Sequence, residues 1–506
     1  MKYLVGIDVG TTGTKSLLFD ESGNIISSAY KGYELLSTKA GYAEQDPKDW
    51  YDAVIYTVRE CARAVPKEKI RAISISAQGG TTVAVDNVGT PVRNAISWLD
   101  RRAYKEAQAL CEKKDKEYYY LHTGWRLNDG YNLAQIKWME AHEPKKFSKT
   151  DKFLSPLSYL NLRFTGKAVT DYTNEGITNL ENIHTWSWDQ TVYEELGLTD
   201  ERLPEILPAG TVLGTLKKEA AEIMGLSEET LVINGGYDQY CAALGLGAVE
   251  KGDLMLSTGT AWVLMAITDT LRFDVKSYIS PCRHIVPDRY GAMASLETGG
   301  VSLDWFKNKV ASDHEHAENY KRLNEEIEKI GPGADGVLFY PHFAGTTCPH
   351  WSKNSRGAFL GLTLYHGRYH MARAVMEGVV YEMYAIIKAY EQAGIEVKTI
   401  RLAGGAAKSK VWTQMIADIT QVPVIIYENA DAAARGAGII AAVGAGIYAD
   451  FTQAAEKFQT KCRKILPHVE KKEIYRKNYI RYQQGFQELK HFYDKEENDE
   501  TKMSEA

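Results

Sequence analysis

A carboxylate, a turn of glycines and threonines and a lysine stand together in the segment GIDVGTTGTK, which begins at Gly6. Asp8 closes a short apolar run, and the turn that follows is built to expose backbone. Glycine permits close approach, and consecutive N–H groups in such a turn make an anion-binding concavity. Thr11, Thr12 and Thr14 add hydroxyls, Gly13 adds freedom and Lys15 adds a cation. A hard cation takes oxygen ligands and is commonly shared between one or two carboxylates and bound phosphates. Asp8 therefore reads as the magnesium side of a phosphate site. A plain hairpin is the competing reading of this segment taken alone.

The spacing excludes a P-loop. That motif needs G-x-x-x-x-G-K-[ST], whereas Gly13 is followed by Thr14, with Lys15 one place late and the strand-like SLLFD behind it. A second Ser/Thr/Gly turn, LSTGTAW at Leu256–Trp262, offers Ser257, Thr258, Gly259 and Thr260. A third segment, LAGGAAKSKVW, sets Gly404 and Gly405 between a strand and a helix, where flat backbone can lie against a nucleobase. Two phosphate turns facing across a cleft can grip both sides of a triphosphate.

These turns need strands and helices to hold them. Leu4–Ile7 and Ser16–Phe19 read as paired strands, with Ile25–Ala29 next. The run EQDPKDWYDAVIYTVRECARAV reads as a helix, with Asp46 as N-cap and Pro47 in the first position. IRAISIS is a buried strand, and hairpins followed by helix and strand fit an α/β domain with a mixed sheet. Residues 100–230 read as helical insertions over one side of that sheet. The core pattern returns with LVING, a Gly-Gly turn and a helix after GYDQ. GDLMLSTGTAWVLMAIT then repeats the opening plan, an internal echo that suggests two related domains. Their boundary is expected near Gly247–Gly252. AAARGAGIIAAVGAG reads as a close-packing helix, and the charged end DKEENDETKMSEA reads as disordered.

The totals limit the alternatives. A chain of 506 residues exceeds one typical core. Its net charge of −6 argues against nucleic acid as the main partner. No apolar run approaches the roughly 18 residues of a membrane span, and the N-terminus lacks a secretory plan. Six cysteines show no CxxC or Cys/His spacing, which fits reduced thiols in a cytoplasmic protein.

Through both turns, LAGGAAKSKVW, and GAFLGLTLYHGRYHMARAVMEG from Gly357 to Gly378, the chain resembles the FGGY carbohydrate kinase family of the actin/sugar kinase superfamily, over residues 3 to 450. The resemblance implies an α/β fold of two ribonuclease H-like, actin-like ATPase domains with a deep cleft between them. It implies an N-terminal domain over 1–248, a C-terminal domain over 249–480, and a charged tail over 481–506. It also implies MgATP-dependent phosphorylation of a sugar or polyol, and it leaves a homodimer open. Asp238, in the matching GGxDxxxxxxG segment, takes the place of the catalytic base; as a residue on its own it also reads as a helix cap. Thr11, Thr12, Gly13, Lys15, Thr258, Gly259, Gly300, Gly404, Gly405 and Lys408 are the implied nucleotide contacts, and Asp8 the implied metal ligand.

Gln78 and Gly79 at a strand end, Asp100 beside Trp98, and Asp238 with Gln239 are the sugar-side candidates. Surface turn, helix cap and exposed helix residue are the respective competing readings. The implied substrate is a ketopentose such as D-xylulose, with ribulose, gluconate, glycerol, erythritol or an autoinducer-type sugar as alternatives. A non-enzymatic scaffold of the actin/Hsp70 kind is the outlying one. Departures from the xylulose-type pattern bear on this choice. QMHG is here QGGT, so Gly80 stands for histidine; WND is WLD, with Leu99 for asparagine; ERTPH is TTCPH; and the family's signature lysine corresponds to Gln135.

Overall fold

The computed structural model describes residues 1–311, 319–427, 431–459 and 461–504, with side chains to residue 495. Strands β1 (Tyr3–Val9), β2 (Gly13–Asp20) and β3 (Ile25–Gly32) form an antiparallel meander. Helix α1 (Pro47–Ala62) follows, its first turn capped by Asp46, whose Oδ1 accepts from the Lys48 N–H at 2.9 Å. Then come β4 (Ile70–Ala77), β5 (Val212–Thr215), β6 (Leu231–Tyr237) and helix α2 (Asp238–Gly245). The sheet order is β5-β6-β4-β1-β2-β3, with β1, β4 and β6 parallel.

The second lobe holds β7 (Asp253–Thr258), β8 (Trp262–Thr268), β9 (Ser280–Arg283) and β10 (Tyr290–Leu296). Helix α3 (Arg368–Gln392), β11 (Thr399–Gly404), α4 (Lys410–Thr420), β12 (Val424–Tyr427), α5 (Ala432–Gly444), β13 (Cys462–Ile465) and α6 (Lys472–Ser504) complete it. Its order is β9-β10-β8-β7-β11-β12-β13. Read from the β13 edge, the pairings repeat those of the first sheet, with one strand added: antiparallel, parallel, parallel, then a hairpin meander. The echo in the sequence is thus a duplicated sheet, the actin-like two-domain plan.

Both lobes have apolar cores, and a third cluster joins them. Leu4, Phe19 and Ile233 of the first sheet meet Met255, Met265 and Ile267 of the second through Ile439 and Ile440 of α5. Helix α5 follows the last parallel strand of the second sheet yet lies on β1, β4 and β6 of the first. A division at 248/249 therefore assigns to the second domain a helix that packs on the first. The Gly/Ala composition makes this possible: a Cβ at Gly436 would lie 1.9 Å from the Cys241 carbonyl oxygen of α2, and one at Gly245 would lie 2.0 Å from that of Ala432.

The part of the expected insertion before residue 207 is mostly helical, with its own cluster of Leu133, Ile136 and Met139 with Leu180, Leu196 and Leu203, whereas Val212–Thr215, expected within it, is the edge strand β5 of the first sheet. All six cysteines are free thiols. Two further expectations are corrected. The Gly-Gly turn before Asp238 is a strand, because β6 runs on through Gly235 and Gly236 with a register shift against β4. The segment from 481, set apart as a tail, continues helix α6 through Tyr482 and Phe486, which pack on the second core. Tyr475, Tyr479, Tyr482 and Phe486 repeat at helical spacing and are 1–6% exposed against the second core. That buried face anchors the helix.

Candidate active site

The β1–β2 register sets Asp8 opposite Lys15 and, on β4, opposite Ser76. The turn between the strands is closed by the Gly10 N–H to the Gly13 carbonyl at 3.0 Å. Tyr33 braces it from beneath: its hydroxyl donates to the Gly10 carbonyl at 2.6 Å and its N–H to that of Thr12 at 3.1 Å. Thr14 is fully buried 3.4 Å from the Tyr33 hydroxyl, so it does not offer its oxygen to a ligand. The Thr11 hydroxyl is also committed, donating to Gln78 Oε1 at 2.9 Å. Among the described residues none accepts from the backbone N–H of Thr11 or Thr12. The cradle is therefore made of backbone, with Thr12 exposed at its tip.

The second turn is held in the same manner. The Gly300 N–H donates to the Gly259 carbonyl at 3.1 Å and the Val301 N–H to that of Thr260 at 3.3 Å. The Thr258 hydroxyl does not face the turn. It donates to the Ala403 carbonyl at 2.7 Å and accepts from the Ala406 N–H at 3.1 Å. It joins the second turn to the Gly404–Gly405 loop. Gly404 sits at φ +102°, and a Cβ there would lie 2.5 Å from the Thr258 carbonyl oxygen, so only glycine suits the position. Gly405 and Lys408 are exposed beside it. Thr258→Val keeps the shape and strands both backbone partners, at a cost of about 1–3 kcal/mol. We expect the KM for ATP to rise about tenfold with the sugar KM unchanged in steady-state assays; the reverse pattern would assign the hydroxyl elsewhere.

Near the first turn lie three acids, Asp8, Asp238 and Asp431. Ser76 donates to Asp8 Oδ1 at 2.9 Å, and Lys15 Nζ pairs with Asp431 Oδ1 at 2.6 Å, linking the first turn to the residue that precedes α5. Burial pushes Asp8 up to about 6, with Asp431 adding to it. Asp238 is pushed up to about 7, first by burial and then by the charge of Asp8. Asp238 does not cap its helix: Tyr237 holds the N-cap position and no side chain closes it. Instead Asp238 Oδ1 and Gln239 Oε1 are buried with no hydrogen-bond partner. Such oxygens call for a cation or a donor. Among the described residues no group of three or more His, Cys, Asp or Glu side chains forms a metal cage. The donor set fits an ion like magnesium, which keeps waters and shares few carboxylates with phosphate.

The sugar side departs from expectation. Gln78 is 2% exposed. Its Oε1 takes the Thr11 hydroxyl, and its Nε2 donates to Gln45 Oε1 at 2.8 Å, while Gln45 Nε2 returns to the Thr11 carbonyl at 2.8 Å. Gln78 braces the first turn. Asp100 is 1% exposed. One oxygen accepts from the Ala43 N–H at 2.6 Å, and both accept from the Arg102 guanidinium, at 2.9 and 2.7 Å. Its carboxylate is filled by protein.

Trp98 is 38% exposed, with its indole N–H donating to the Thr11 hydroxyl at 3.1 Å, and the loop at Gly79–Gly80 beside it is buried. A Cβ at Gly79 would strike Ile177 and Tyr237 at 2.9 Å. Gly80, at φ +70°, is walled by Trp98 and Tyr131, 3.1 and 3.3 Å from a Cβ built there. These rings fill the space beside Gly80. Gln135 is fully buried, and its Nε2 donates to the carbonyls of Gly80, Ser97 and Gly130 at 3.1, 3.1 and 2.9 Å. Its two N–H groups are shared among these three carbonyls, where a lysine ammonium would bring three donors. Asp431 and Tyr131 carry no local signal in the sequence and are identified only by their distant partners.

Comparison with known proteins places these features in context. The family model described as "FGGY family of carbohydrate kinases, N-terminal domain" matches residues 3–245, and the corresponding C-terminal model matches 254–445. A xylulose kinase of Bacillus subtilis is 32% identical over 478 residues, covering 94% of this chain and 95% of that one. A gluconokinase of the same organism is 30% identical over 454 residues, covering 88% and 87%. The solved structure of a ligand-bound xylulose kinase from Lactobacillus acidophilus superposes with a TM-score of 0.92 at 27% identity, covering 98% of this chain and all of that one.

Proposed function

The chain belongs to the FGGY family of carbohydrate kinases, and on that premise we propose that it moves the γ-phosphoryl group of ATP to a hydroxyl of a ketopentose such as D-xylulose, with Asp238 receiving the proton. The observation that carries the site assignment is the buried, unpartnered Asp238 Oδ1 beside the first turn. The sugar hydroxyl donates its proton to the Asp238 carboxylate as its oxygen bonds to the γ-phosphorus. The bond from that phosphorus to the bridging oxygen breaks, and ADP leaves. Transfer of this kind rests on positioning and on neutralising phosphate charge more than on covalent chemistry. The N–H groups of Thr11 and Thr12, those of the second turn, and Lys15 meet that charge. Asp8 would hold magnesium, which when bound neutralises charge on the phosphate oxygens.

The similarity to xylulose kinases over nearly the whole chain supports the ketopentose. A second reading, an aldonate such as gluconate, is favoured by the gluconokinase relative and by Gly80 with its two aromatic walls. A site that loses or gains a hydrogen-bond partner discriminates by orders of magnitude. ADP release across D-xylulose, D-ribulose, D-gluconate, glycerol and erythritol tests this. D-xylulose is expected to lead in kcat/KM by about 10² or more. A lead for gluconate transfers the assignment to the second reading, and no sugar-stimulated turnover contradicts the site.

Gln135→Leu separates the sugar wall from the nucleotide site. Three carbonyls lose their donor, each loop is freed, and the sugar KM is expected to rise about tenfold or more with the ATP KM unchanged. Equal sugar KM in the variant would make Gln135 a packing residue only.

A further inference from the structure

A cavity of about 400 Å³ lies where the first-lobe insertion meets the second lobe, and none of the residues assigned above to nucleotide or sugar lines it. Lys116 and Arg126 line it from one side, and Lys276, Tyr278, Trp351 and Lys353 from the other. The Arg126 guanidinium lies over the Trp351 ring at 4.2 Å and over the Tyr278 ring at 4.7 Å. The two rings meet edge to face, 5.9 Å apart and at 83°. Trp351 is fixed by its Nε1 donating to the Ser277 carbonyl at 2.6 Å. Both aromatic residues hold left-handed backbone, φ +51° at Tyr278 and +50° at Trp351, a strained conformation for bulky side chains that clusters at ligand sites.

What these rings hold is a cation without an anion. Among the described residues no carboxylate pairs with Arg126, and its ordinary proton affinity is lowered by burial. Its faces are covered by aromatic rings while its edge carries N–H donors in a planar fork, the geometry that matches carboxylate and phosphate. Three lysines surround it, and Glu117 is the single acid on the lining.

We propose that this cavity is a second ligand site, taking a small metabolite through an oxyanion, either a phosphate ester or a polycarboxylate, on the Arg126 fork. The lysines supply the remaining charge, and because the lining comes from both lobes, an occupant ties them together.

Isothermal titration of the full chain tests this with inorganic phosphate and, separately, with citrate, each in saturating MgADP so that the nucleotide site is filled. Saturable one-to-one binding of either anion is expected, weakened about tenfold or more by Arg126→Gln. MgADP affinity in that variant is expected to stay within about twofold. Binding of phosphate alone identifies a phosphate ester, and binding of citrate alone a polycarboxylate. If Arg126→Gln does not fold, the exposed pair Lys276→Ala with Lys353→Ala is expected to weaken binding about fivefold. No binding of either anion to the wild-type chain overturns the proposal. So does equal binding by the variants, or binding that disappears when MgADP is present.

Discussion

Asp238→Asn is expected to lower kcat by about 10³-fold or more while ADP binding stays within about threefold of wild type. General-base catalysis contributes about 10²–10⁴-fold, and asparagine fills the same volume with no site for the proton. Stability provides an independent readout. The unfolded carboxyl ionises near 3.8 and the folded one at about 7, raised by burial. Between those values the folded state binds more protons, so this group makes stability fall as pH rises, levelling off above about 7. Asparagine removes that slope, so the variant is expected to melt at or above the wild-type temperature at pH 8 without ligand. The same raised value implies that wild-type kcat/KM declines below about pH 7 as Asp238 takes up its proton. Turnover near wild type in Asp238→Asn, measured by ADP release, would remove Asp238 from the reaction.

Gly436→Ala is expected to lower kcat by about 10²-fold and to lower the melting temperature clearly. The added methyl would stand 1.9 Å from the Cys241 carbonyl oxygen, so helix α5 or α2 must move. Overpacking of this kind costs about 1–3 kcal/mol, occasionally more. Cys241 lies one turn beyond Asp238 on α2, so the displacement reaches the base, and an error of about 1 Å costs roughly 10² in rate. Gly331→Ala is the control, since a Cβ there meets nothing within 4 Å. Unchanged melting and kcat in Gly436→Ala would mean that the helix crossing does not position the base.

The parts legible in the sequence are those whose physics is local. Asp46 and Pro47 announce a helix start because cap and first turn are adjacent in the chain. The two Gly/Thr turns are visible because close backbone approach restricts residue type within a few positions. The duplicated sheet follows from the same run of strand, turn and strand occurring twice. Side-chain direction is not local in this sense. Asp100 reads as a ligand-facing carboxylate until the Ala43 N–H arrives from 57 residues away to fill it. Gln78 is turned toward Gln45 and Thr11 by an amide network that no spacing reveals. Asp431 meets Lys15 only because α5 crosses back onto the first sheet. The start of the expected tail is hidden differently: its charge suggests solvent, while Tyr482 and Phe486 continue the helical spacing of Tyr475 and Tyr479 on a buried face.

The central claim is that one backbone cradle from each lobe holds the polyphosphate so that its terminal group faces Asp238. A crystal structure of the chain with MgADP and sugar tests it most directly. The diphosphate is expected within hydrogen-bond reach, about 3 Å, of the N–H groups of Thr11 or Thr12 and of the turn at Gly259–Thr260, with the sugar hydroxyl turned to Asp238. A diphosphate bound by neither turn, or lodged away from Asp238, would contradict it.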